Sequence, residues 1–308
     1  MVAELWLRDI DDSDRALRTK ITYRENWQRY LKSVVGELRL RDMRVSRVDR
    51  IVRDLREHSG SGTATHAKVV LSGILGLAVR HDALEANPVR ELTRDRRGGS
   101  AKKTKINLAE ESFSRLHQHL RASPDALKYD MVDLVDVLSG LGCRIGELLA
   151  LDWTKIDDTA GTVAIEGTVI RVPGEGLIVQ SHTKSSAGMR TIAVADWVMA
   201  IFVRRHATAE GQGVFPSTRG TLRDPDNTRS QLRTVLAGTE WVGLHPHAFR
   251  RRVATQLDVK GLSAREIADY LGHERVSMTQ DVYMSRRITG TGAADALNGL
   301  NGLDESVG

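Results

Sequence analysis

Residues 159–195 break the rhythm of an otherwise helical chain. There Thr162, Val163, Ile165, Val169, Ile170, Ile178, Val179, Ile192 and Val194 stand in short runs separated by glycines, the pattern of strands and hairpins. On both sides the apolar residues recur at helical spacing instead. One β-forming stretch between helical regions predicts a mainly α chain with a small antiparallel sheet. With 308 residues there is room for two domains. No apolar run approaches the roughly 20 residues that span a bilayer, and no signal-peptide pattern opens the chain. The lone Cys143 excludes an internal disulfide and fits a reducing compartment.

The first third reads as a small all-α domain over residues 1–92. Residues 21–35 place Tyr23, Trp27, Tyr30, Leu31 and Val34 along one helical face, with Arg24, Arg29 and Lys32 elsewhere on the helix. A second helix runs from Ser46, with Val48, Ile51, Val52 and Leu55 inward, until Ser59-Gly60-Ser61-Gly62 breaks it. A third runs from Thr63 to Ala83 through Val69, Val70, Ile74, Leu77 and Ala78, and Asn87-Pro88 closes the region. Residues 93–106 are charged and without apolar period, with Lys102, Lys103 and Lys105 at their end, and read as a basic linker. Residues 1–106 hold 23 Lys and Arg against 15 Asp and Glu, a net +8, while the rest of the chain is net −3, so the first third is the basic part. That asymmetry suits a surface that neutralises phosphates, and equally a merely solvated one. The second domain then spans 107–308.

Within it four short boxes hold chemistry-bearing residues. The first, 141–153, sets Arg144 beside a glycine-permitted bend, with Glu147 three residues on and Ile145, Leu148, Leu149 and Leu151 anchoring the helix that follows. The second, 183–192, places Lys184 and Arg190 in a turn between two strands. The third, 245–255, has His247 and Arg250 three apart, close enough on a helix to reach the same atom. Pro246 suits a first helical position, so His247 falls in the first turn, where free backbone N–H groups favour an anion. The fourth follows a capping box, Ser263-Ala264-Arg265-Glu266, on a helix stopped by Gly272 with His273 just beyond and Tyr283 ten residues later.

This order, His-x-x-Arg, then Leu-Gly-His, then a tyrosine, resembles the C-terminal signature of the tyrosine recombinases, the phage integrase family. The first two boxes resemble that family's arginine box and the hairpin carrying its catalytic lysine. The resemblance implies a core-type DNA-binding domain at 1–92 and a catalytic domain at 107–308 with a tail at 284–308. It implies Tyr283 as nucleophile, Arg144, Arg250, His247 and His273 around the phosphate, Lys184 as the acid for the leaving oxygen, and Glu147 in support. Arg24, Arg29, Lys32, Lys102, Lys103, Lys105, Arg190 and Arg251 become candidate DNA contacts, with a structural contact equally open for Arg190. No cofactor and no metal are implied: His245, His247 and His273 have no carboxylate or cysteine at ligand spacing. The implied partners are double-stranded DNA attachment sites, further copies of the chain as a tetramer on paired DNA, and a directionality factor, in a bacterial host's cytoplasm and without a membrane.

Phe249 and Arg251 stand where the family often has Leu and His. The extra N-terminal arm-binding domain of larger phage integrases is not expected, which favours a simpler recombination site. Two other readings stay open. Residues 263–282 also resemble a helix-turn-helix, as in a non-catalytic DNA-binding regulator. The same chemistry without site pairing would be that of a type IB topoisomerase.

Overall fold

The computed structural model describes residues 2–92, 108–181 and 188–273. The chain divides into two compact units, one holding the described residues 2–92 and the other most of those from 108 to 273. Among the described residues the architecture is mainly helical with a small antiparallel sheet, in line with the pattern of the sequence.

The first unit is all helical. Helix α1 (Val2–Asp12), which the periodicity reading passed over, buries Trp6, Leu7 and Ile10. Its Trp6 ring meets Tyr23 at 5.6 Å. Helix α2 (Leu17–Asn26) continues through a π turn (Trp27–Leu31) into α3 (Lys32–Val35). A π turn closes i to i+5 and so holds one residue more than an α turn. The buried face therefore slips by a residue: Trp27, Leu31 and Val35 face inward, while Val34, expected inside, is 46% exposed.

Helix α4 (Val45–Arg80) is two helices joined at Gly60, whose φ of 86° and ψ of 162° leave the helical region. The Ser-Gly break thus falls at a single residue. Val48, Ile51 and Val52 before it and Ala64, Ala67, Val70, Leu71, Ile74 and Leu75 after it build the core. Val69 is exposed, contrary to expectation, and the helix stops at Arg80 rather than Ala83. By composition α4 is the one described helix apolar enough to cross a membrane, with a mean hydropathy of 1.3 in its most apolar window. Many of its apolar residues, Val70, Leu71, Ile74, Leu75 and Leu77 among them, fill this core.

The second unit is built around α7 (Met131–Leu141). Met131, Leu134, Val135, Val137, Leu138 and Leu141 are all buried, so the helix is covered on nearly every side, as befits a central element. It packs against α5 (Glu110–Ala122), α6 (Pro124–Lys128), α9 (Asp196–His206) and α11 (His247–Val259). Strands β1 (Ile156–Asp157), β2 (Thr162–Ile165) and β5 (Arg190–Ala193) form an antiparallel sheet in the order β1-β2-β5, with Val163 opposite Ile192. Strands β3 (Gly167–Val172) and β4 (Gly176–Ser181) pair separately. Helix α10 (Pro225–Val235) is capped by Asp224. Helix α12 (Ala264–Leu271) seats Ile267 and Leu271 on Val253 and Ala254 of α11. The core thus brings the end of α7, the start of α11 and the end of α12 to one place.

Candidate active site

Helix α7 ends in Gly142, whose φ of 61° is left-handed. A Cβ there would lie 2.7 Å from Cδ2 of Leu271 and 3.1 Å from Cβ of Val253. Glycine is required twice, for the backbone angle and for the approach of α11 and α12. The bend delivers Arg144 as N-cap of the short α8 (Ile145–Leu148). Arg144 donates from Nη1 to Oε1 of Glu147 at 2.6 Å and from Nη2 to the carbonyl of Gly272 at 3.2 Å. Its own backbone N–H donates to Oε2 of Glu147 at 3.0 Å. The first and fourth boxes are thereby joined.

The third box enters from α11. Pro246 is the N-cap and His247 the first helical residue. Arg250, one turn on, is 1% exposed and donates from Nη1 to the carbonyl of Gly142 at 2.9 Å. A guanidinium at that depth sits against the very bend that carries Arg144.

Helix α12 starts on the capping box read from the sequence: the Ser263 hydroxyl accepts from Glu266 N at 3.2 Å, and Glu266 accepts from Ser263 N at 2.7 Å. It ends in a Schellman turn at Gly272 (φ 69°), with His273 N donating to the carbonyl of Ala268 at 2.8 Å. This fixes His273, 6% exposed, beside the Gly272 carbonyl that Arg144 holds.

Both histidines lie in a cationic field. Desolvation, then Arg250, Arg251, His245 and Arg144, pushes His247 down to about 4. Burial, then Arg250, Arg144, His247 and Arg190, pushes His273 down to about 4. At neutral pH both rings are therefore uncharged and able to accept or donate a hydrogen bond. For Glu147, burial disfavours the charge, yet Arg190 and Arg144 outweigh it and hold the carboxyl below the usual range. The result is a cluster of arginines and neutral imidazoles suited to an oxyanion.

Arg190, read from the sequence as a phosphate or structural contact, makes structural contacts within the fold. Its side chain is 7% exposed, and it donates to Glu147 Oε2 at 3.0 Å, to the carbonyl of Tyr270 at 2.8 Å and to that of Gly188 at 3.1 Å. A hairpin arginine in a sequence gives no sign of being turned inward. Two further residues border the site: His245, weighed in the sequence only as a metal ligand, and Tyr270, which went unread. The ring of His245 stacks on His247 at 6.3 Å between centroids. The hydroxyl of Tyr270 donates to the Gly140 carbonyl at 3.2 Å, and burial pushes its pKa up to about 12. Arg251 is half-buried and Arg252 lies over the Phe113 ring at 4.1 Å. In the first unit Arg29 and Lys32 are exposed, while Arg24 is ion-paired with Asp11. Lys184, Tyr283, Lys102, Lys103 and Lys105 lie outside the described residues. Among the described residues no group of three or more His, Cys, Asp or Glu side chains is placed to hold a metal ion.

Known proteins share both the fold and the sequence pattern. Tyrosine recombinase XerD of Corynebacterium glutamicum is 25% identical over 297 residues, covering 91% of this chain and 92% of its own. The XerC-like tyrosine recombinase of Caldanaerobacter subterraneus subsp. tengcongensis is 22% identical, covering 90% of this chain and 76% of its own. Among solved structures, the Tn1549 transposon integrase bound to transposon right-end DNA superposes with a TM-score of 0.77 at 17% identity, covering 96% of this chain and 98% of that one. The lambda integrase dimer on a core site gives 0.67 at 17% identity, covering 94% and 78%. The family model described as "Phage integrase family" matches residues 107–288, more than half the chain and all four boxes. The chain therefore belongs to the phage integrase family, the tyrosine recombinases, enzymes that break and rejoin DNA strands.

Proposed function

We propose that this chain is an integrase-type site-specific recombinase, cutting and rejoining paired DNA sites for integration and excision through a 3′-phosphotyrosine intermediate. The observation that carries the reading is the meeting of Arg144, Arg250, His247 and His273, from three boxes distant in sequence, around one site. The Tyr283 oxygen attacks the phosphorus of a phosphodiester, the 5′-oxygen leaves, and the bond energy is kept in the covalent link, so rejoining needs no nucleotide cofactor. Arg144 and Arg250 stabilise charge on the non-bridging oxygens as it grows. His247 and His273, neutral before substrate binds, add a proton acceptor near the tyrosine and a hydrogen-bond donor to the phosphate. Lys184 protonates the departing 5′-oxygen.

The first unit supplies a basic, core-type DNA-binding surface that includes Arg29 and Lys32, and the linker lysines lie along the DNA backbone. Assembly as a tetramer on paired duplexes is the arrangement named for lambda integrase on a Holliday junction, and its carry-over to this chain belongs to the proposal.

Covalent trapping tests the reading. Wild type and Tyr283→Phe are incubated with nicked duplex carrying the attachment site and resolved in SDS. An adduct with wild type alone, while both bind the DNA, is the expected result. Sequence-specific binding with no adduct would sink it and favour a non-catalytic regulator. Relaxation of plasmids lacking any attachment site, without recombinant products, would point to a topoisomerase instead.

A further inference from the structure

The site holds a buried anion as well as its cations, and that anion poses a physical problem. The Glu147 side chain is fully enclosed, and its Oε1 lies 2.6 Å from Nη1 of Arg144. A carboxylate that close, cut off from water, would cancel most of the positive charge of the arginine it holds. Arg144 is also the group of the pair that reaches outward: its side chain is 46% exposed, against none for Glu147. An arginine made neutral by its own orienting partner would stabilise an oxyanion poorly.

Arg190 resolves the conflict. From the opposite side it places Nη2 3.0 Å from Oε2 of Glu147, so each oxygen of the carboxylate faces a different guanidinium. Two guanidinium charges on one carboxylate leave the cluster net cationic. Only one of the two cations is accessible, because Arg190 is 7% exposed. Its remaining donors hold the carbonyls of Tyr270 and Gly188, which keeps the fork planar and fixed.

We propose that Arg190 is a positioning residue whose charge offsets that of buried Glu147, leaving Arg144 oriented by the carboxylate yet still net positive toward a phosphodiester. It touches no substrate and acts through Glu147. The inference rests on the reading of Arg144 as a phosphate-gripping residue in strand cleavage.

The test is a charge-balance cycle on the full chain, comparing wild type, Arg190→Met, Arg190→Lys, Glu147→Gln and the Arg190→Met/Glu147→Gln pair. Each is checked for folding by thermal melt, and single-turnover adduct formation is timed on nicked attachment-site duplex with DNA affinity measured alongside. Arg190→Met is expected to slow adduct formation by about tenfold or more, below the 10²–10³ of a lost direct donor, with DNA affinity nearly unchanged. Arg190→Lys, which restores the charge and not the fork, recovers most of the rate. Glu147→Gln, added to Arg190→Met, raises the rate above that of Arg190→Met alone, because removing the anion removes the need for its counter-charge.

A purely structural tie gives the opposite pattern: Lys behaves like Met, and the two losses multiply. Either that pattern or an Arg190→Met rate equal to wild type overturns the proposal. If Arg190→Met does not fold, the Lys variant and the double variant decide the matter by the same comparison. A wild type that binds its site and forms no adduct fails a different claim, the function itself, and is told apart by that control.

Discussion

Two helix breaks in this molecule look alike in the sequence and differ in what surrounds them. At Gly60 the helix α4 turns through a positive φ of 86°, and an added Cβ would meet nothing within 4 Å. At Gly142 the φ is 61°, and the same Cβ would run into Leu271 and Val253. The first break needs glycine for its backbone angle alone. The second needs it for the angle and for the close seating of two helices, and two residues later comes Arg144. A break enclosed by packing can hold a functional side chain in place, whereas one open to solvent only redirects the chain.

The largest effect that would sharpen this contrast comes from Arg250, whose guanidinium holds the Gly142 carbonyl. Arg250→Ala should slow adduct formation on the order of 10²–10³-fold and also lower the melting temperature, since the buried carbonyl loses its donor. A loss of rate with no change in melting would mean that the bend stands without it. Next comes Gly142→Ala, which should cost about 3 kcal/mol in urea unfolding from strain and overlap together. Pairing it with Leu271→Ala, which vacates the space above the glycine, should recover on the order of 1 kcal/mol relative to the sum of the two single changes. Strict additivity would show that the backbone angle, and not the packing, sets the cost. Gly60→Ala should cost only about 1 kcal/mol and leave the adduct rate of the folded protein alone. An equal loss of activity at both glycines would break the comparison.

A smaller and graded effect comes from His273. Its folded pKa of about 4 lies below the ordinary histidine value of 6.5, so between those limits the unfolded chain binds more protons than the folded one. Stability from this source is fully present above about pH 6.5 and is lost as the pH falls toward 4. Melting temperatures from pH 7 to pH 5 should therefore decline less steeply for His273→Gln than for wild type. Parallel slopes would remove His273 as a contributor.

What the sequence disclosed was mostly the chemistry of helix ends. The capping box at Ser263 and Glu266, the stop at Gly272 and the place of His273 after it depend on neighbours within a few residues, so a local pattern contains them. The break at Gly60 and the β-forming stretch were legible for the same reason. The face of the helix through Trp27 was not, because a π turn shifts register without any compositional mark, and Val34 was misassigned. Val69 failed differently: α4 is apolar enough overall that some of its valines fall outside. For Arg190 the sequence left a phosphate and a structural contact open, because the carbonyl that holds it belongs to Tyr270, eighty residues away. Helix α1 went unread although Trp6, Leu7 and Ile10 share one face of it.

The π turn at Trp27–Leu31 also says something about how much length this unit can absorb. There the helix carries one residue beyond what its hydrogen bonding requires, with Lys32 N reaching back to the Trp27 carbonyl. Deleting the exposed Gln28 would place Trp27, Leu31 and Val35 at i, i+3 and i+7, still one face of an ordinary α-helix. The shortened chain should fold with the same core and a helix regular from end to end. The unit therefore accommodates two chain lengths around a single interior, a tolerance by which a domain can gain or lose a codon without being rebuilt.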